Sequence, residues 1–101
     1  MSINSILQDI AGNKEDEVVD VNYSLAEVWP VGDSSFPLLQ YVDAYRNTIF
    51  NRAQLPEVKR ELDLLASRVS TDEQKRLLLR ISELATKGME RPHKFLRFSG
   101  D

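Results

Sequence analysis

A chain of 101 residues, 42% apolar and 29% charged, has the size and makeup of one globular domain and is too apolar for disorder. It has no cysteine, which excludes disulfides, thiolate catalysis and cysteine-ligated metals. The net charge of −3 divides unevenly: residues 1–45 hold eight acids against Lys14 alone, and residues 46–101 hold twelve bases against eight acids.

The two halves therefore attract each other, either across the folded domain or toward a charged partner that a single-signed surface would steer. The opening stretch "MSINSILQDIAGNKEDE" carries neither a basic leader nor a continuous apolar core. No segment approaches the roughly 18 apolar residues of a membrane span, so a cytoplasmic protein without membrane association is expected. No repeat, low-complexity tract or linker divides the chain, and residues 1–101 are expected to form a single domain.

In chain order, Ile3, Ile6, Leu7 and Ile10 follow Ser2 at helical spacing, and Gly12-Asn13 ends the pattern, which predicts a short helix over 3–10. Val19, Val21, Tyr23 and Leu25 then alternate with polar residues, the period of a half-buried strand over 18–25. Ser24 and Glu27 also match a capping box for one helical turn before Pro30. From Pro30 to Pro56 the chain is punctuated by Pro, Gly, Asp and Ser yet rich in aromatics, which predicts an irregular layer packed over the core or, failing that, a partner groove.

The second half is more regular. Pro56 suits a first helical position, and Leu55, Val58, Leu62, Leu65 and Val69 form one apolar stripe. Ser70 and Glu73 form a capping box for a second helix whose stripe is Leu77, Leu78, Ile81, Leu84 and Ala85, with Gly88 as its stop. A connection this short makes the two helices, about 56–68 and 71–87, antiparallel neighbours. After them, His93, Phe95 and Arg97 alternate with Lys94, Leu96 and Phe98, the pattern of an edge or two-sided strand. The expected fold is α+β, a helical hairpin on a very small sheet with an aromatic layer; a mostly α arrangement is the alternative.

Chemistry is sparsely encoded. Four scattered glycines build neither a phosphate loop nor a dinucleotide motif. His93, the one histidine, has no nucleophile motif beside it and reads as a surface or structural residue. Glu15, Asp16, Glu17 and Asp20 lack the glycine and oxygen spacing of a calcium loop and read as a solvated acidic turn. Asp43, Tyr45, Arg46 and Asn47 form a polar cluster suited to a structural turn or a partner contact. No catalytic residue, metal site or cofactor is expected.

By elimination, the chain is expected to be a non-enzymatic domain that binds another protein, of inhibitor, immunity or regulatory type. Its expected contacts are Glu15, Asp16, Glu17, Phe36, Tyr41, Asp43, Tyr45 and Arg46. The second expectation is nucleic-acid binding through Arg91, His93, Lys94 and Arg97 with Phe95 and Phe98 as stacking platforms, which an acidic isoelectric point near 5.1 disfavours. An enzyme built on Asp43, Tyr45 and His93 comes third.

Overall fold

The computed structural model describes residues 2–43 and 45–100 and shows an α+β domain with a four-stranded antiparallel sheet and two helices. The elements run β1 (Ile3–Asp9), β2 (Lys14–Val18), a 3-10 turn at Leu39–Tyr41, β3 (Asn47–Phe50), α1 (Leu55–Arg68), α2 (Asp72–Glu90) and β4 (Lys94–Gly100). In the sheet the order is β2-β1-β4-β3, so β4, expected as an edge or two-sided strand, lies between β1 and β3 and is not an edge.

The expected helix over 3–10 is strand β1. Ile3, Ser5 and Leu7 face the core on alternate positions, and pairing with two neighbouring strands outweighs the weak helical spacing of so short a segment. Gly12 is not a helix stop but part of the β1–β2 connection, at φ +87°. Asp9 organises that connection: its Oδ1 accepts from Ala11 N and Asn13 N, both at 2.9 Å.

The expected strand over 18–25 is also displaced. The acidic stretch itself is β2, and beyond it the buried Asp20 carboxylate accepts from Ser24 N and Leu25 N, each at 2.9 Å, which folds the chain into a turn. Val19, Val21 and Tyr23, the alternating residues, are left exposed, with Tyr23 at φ +55°.

The stretch from Pro30 to Pro56, expected as an irregular aromatic layer, packs on the core in part: its end forms β3 and the start of α1, and Tyr41, Tyr45 and Ile49 are exposed. Trp29, Phe36, Leu39 and Val42 are buried, and Trp29 Nε1 donates to Leu39 O at 2.9 Å. Trp29 and Phe50 both meet Phe98 edge to face, with ring centroids 5.5 and 5.8 Å away.

The helical hairpin forms as the two stripes require, with Leu55, Val58, Leu62, Leu65, Leu77, Leu78, Ile81, Leu84 and Ala85 all buried. Thr71, not Ser70, caps α2, its hydroxyl accepting from Gln74 N at 3.1 Å. Helix α2 also runs through Gly88, because this glycine is a packing residue. A Cβ there would sit 2.6 Å from Leu55 Cδ1 and 3.3 Å from Leu7 Cδ1.

Helices and aromatic layer cover one face of the sheet, where Ile3, Leu7, Val18, Phe50, Leu96 and Phe98 join the core. Ile6 is buried but stands outside that core, on the opposite face. Among the described residues, no helix is long and apolar enough to cross a membrane.

Candidate binding surface

Alternation along β4 divides the C-terminal basic stretch between two places. Leu96 and Phe98 turn inward and Lys94 follows their side, whereas Phe95, Arg97 and Ser99 turn to the outer face. Lys94 is almost covered, its side chain 12% exposed, and it donates to Glu15; Arg91 reaches the same carboxylate at 3.2 Å. His93 is exposed in the turn before β4 at φ +63°.

A bulge in β2 explains why Glu15 is there. The β1–β2 register shifts between Leu7 and Gln8, so that Asp16 faces Leu7, Lys14 faces Gln8 and Glu15 is the extra residue. Such a bulge sends two successive side chains toward one side. Glu15 therefore meets Lys94 and Arg91, and Asp16 meets Lys87 of α2 at 2.7 Å. The Lys87 hydrogen bond holds Asp16 below the usual carboxylate range, and Asp16 in turn raises Lys87. A cleft of about 570 Å³ opens beside this lattice, lined by Leu7, Glu15, Asp16, Lys87, Glu90 and Arg91. Of its charged groups, Asp16 pairs with Lys87 and Glu15 with Arg91.

Glu17 leaves the lattice for the outer face and pairs with Lys14 at 2.9 Å. On that face the register aligns Glu17, Ile6, Arg97 and Ile49 in one row across all four strands. Beside it run a row of Lys14, Gln8 and Phe95 and a row of Asn4, Ser99 and Asn47. Ile49 is 52% exposed, and Arg97 Nε is buried without a hydrogen-bond partner.

The remaining expected contacts scatter. Phe36 is buried in the core with the Arg68 guanidinium 5.2 Å above its ring, so it supports the layer from within and presents no surface. Tyr41 and Tyr45 are exposed. Asp43 closes the turn before β3, accepting from Tyr45 N at 2.8 Å, with Arg46 loosely paired to it at 3.9 Å.

Asp43 and Tyr45 precede the end of β3 that pairs with Ser99, whereas His93 precedes the opposite end of β4. Six residues of strand separate the two places, roughly 20 Å, so these three side chains do not share a site.

Two polar devices escaped the sequence because their partners are distant in it. Glu61, fully buried on α1, accepts from Leu39 N at 2.9 Å and Leu38 N at 3.0 Å and so ties down the aromatic layer. Ser82 on α2 donates to Asp63 at 2.7 Å and accepts from Lys59 at 3.1 Å, joining the two helices. A serine beside a lysine suggests a nucleophile and its base. Here Asp63 accepts the serine hydrogen bond and pairs with Lys59 at 2.9 Å, which occupies both groups and makes the trio a clamp between the helices. Among the described residues, no three His, Asp or Glu side chains converge to hold a metal.

No family model matches the chain, and no curated protein or solved structure matches it either.

Proposed function

We propose that this chain is a non-enzymatic protein-binding domain of the cytoplasm, inhibitory or regulatory in type, and that its contact surface is the outer face of the sheet. The observation that carries the reading is the row through Ile6, Arg97 and Ile49. Arg97 stands between Ile6 and Ile49 on the face opposite the core, which no helix covers among the described residues. Arginine beside apolar and aromatic groups is the composition of binding hot spots, where a partner carboxylate or carbonyl meets the guanidinium. The acidic stretch plays a different part: Glu15 and Asp16 are committed to Lys94, Arg91 and Lys87, so they steer partners weakly.

Phe95 and Arg97 lie two residues apart on the same face, which favours nucleic acid as a second reading, with a ring to stack on and a cation for phosphate. Lys94 and Arg91 are turned away to Glu15, which leaves that face Arg97 and the Glu17-paired Lys14. So few cations neutralise too little phosphate for tight binding.

The test compares wild type with Phe95→Ser/Arg97→Ala as immobilised bait, identifies bound proteins, and remeasures affinity with the purified partner. A loss of about tenfold or more in the variant, at unchanged melting temperature, is expected. Equal binding by both proteins refutes the outer face. Tight single-strand binding with a salt slope that falls in the variant establishes the nucleic-acid reading instead.

A further inference from the structure

The two edges of the sheet are built differently. Edge strand β2 carries four consecutive charges, Lys14 to Glu17, and a bulge, both of which discourage a further strand. Edge strand β3 has neither: it reads Asn47, Thr48, Ile49, Phe50, without lysine, proline or bulge.

Its hydrogen-bonding phase follows from one contact. Gly100 N donates to Arg46 O at 3.0 Å, so the pairs 46/100, 48/98 and 50/96 are the hydrogen-bonded ones. Asn47 and Ile49 consequently direct their N–H and C=O groups away from β4, to the open edge. The next amide, Asn51 N, is already closed by Gln54 Oε1 at 2.9 Å, which limits the open stretch to these two residues.

Charge decides between the candidates for this edge. Arg46, 84% exposed and only loosely paired, stands at one end of β3, and Arg52, in the turn beyond the other end, donates from Nε to Met89 O at 3.1 Å. If a second copy paired antiparallel through β3 about Ile49, Arg46 would lie opposite Arg52 of its mate. Centred on Thr48, the same two arginines become diagonal neighbours, and like charges so placed are destabilising. A strand with carboxylates at its ends meets attraction instead, most directly at the exposed Arg46.

We propose that the β3 edge is a strand-addition site for an extended, apolar segment of a partner protein flanked by acidic residues. This deepens the protein-binding reading above and rests on it for the class of partner, while the edge itself is tested separately. Backbone hydrogen bonds from Asn47 and Ile49 supply affinity, and alternate side chains of the added strand pack beside Ile49.

The probes are three fluorescein-labelled peptides: Glu-Val-Thr-Val-Thr-Val-Glu, its counterpart with Lys at both ends, and the Glu-ended peptide N-methylated at alternate residues. The Glu-ended peptide is expected to bind about tenfold tighter than the Lys-ended one at low salt, with slowed amide exchange at Asn47 and Ile49. Arg46→Glu should reverse that preference. Ile49→Pro removes an outward amide that the sheet does not use, and should abolish binding.

The N-methylated peptide should fail on wild-type protein, which keeps the test decisive if the proline variant does not fold. Equal binding of all three peptides, or protection confined to other residues, overturns the proposal. So does dimerisation of the protein alone with Asn47 and Ile49 protected. Phe95→Ser/Arg97→Ala should retain the peptide, so loss of the edge and loss of the outer face are separate outcomes.

Discussion

Glu61 shows what one side chain does when it is buried. Its carboxylate is the acceptor for two amides of the aromatic layer, so Glu61→Ala leaves both N–H groups without a partner and should cost about 2 to 4 kcal/mol. Burial, then the neighbouring Glu57 carboxyl, push its pKa above the ordinary 4.5, against the pull of the Leu39 and Leu38 amides. The folded state therefore holds this proton more tightly than the unfolded chain. Glu61 contributes stability below about pH 4.5 that is lost as pH rises through the raised value. Glu57 has the opposite sign: Arg60, then Glu61, hold it at about 2, so its contribution is present above 4.5 and is lost as pH falls toward 2. Glu61→Gln keeps a carbonyl acceptor and does not titrate. Urea unfolding at several pH values should show wild type losing stability relative to Glu61→Gln as pH rises above 4.5, and parallel curves would exclude the effect.

At the scale of elements, α2 depends on a residue that ordinarily ends helices. Gly88 lets α2 approach Leu55 at the start of α1 and Leu7 of β1, so the hairpin and the sheet meet where no Cβ fits. Gly88→Ala gains up to about 1 kcal/mol of helix propensity, but it drives a methyl group into a fully buried leucine. Overpacking of this kind costs about 1 to 3 kcal/mol, so the net change should be destabilising. Thermal unfolding of Gly88→Ala measures the sign directly, and a higher melting temperature would show that Leu55 can yield. Glycine here reads in the sequence as a helix stop because the neighbour that requires it lies 33 positions earlier.

Across the whole molecule, the charge asymmetry of the chain becomes a junction between its ends. Glu15 and Asp16 of the acidic half hold Lys87, Arg91 and Lys94 of the basic half, spanning β2, α2 and β4. The Asp16 pair is exposed and contributes little, whereas Lys94 is nearly covered and loses its counter-ion if Glu15 is neutralised. Glu15→Gln/Asp16→Asn should therefore cost about 1 to 2 kcal/mol, a loss that shrinks at high salt. Denaturant unfolding at low and high salt checks this, and a loss independent of salt would point to packing instead.

Local pattern determined a great deal without help. The two apolar stripes dictated the hairpin, the alternation after Gly88 dictated a strand with Leu96 and Phe98 on one face, and the aromatic run dictated a packed layer, because each signal lies within a few residues of chain. What tertiary structure alone decided was whatever depends on neighbours remote in sequence. Residues 3–9 became a strand because β2 and β4 pair with them, and the acidic stretch became an edge strand because a bulge aims it at bases some seventy residues away. The outer face follows the same logic. Ile6, Ile49 and Arg97 are unremarkable in their own segments, and only antiparallel register, set by hydrogen bonds between strands, places them in one row.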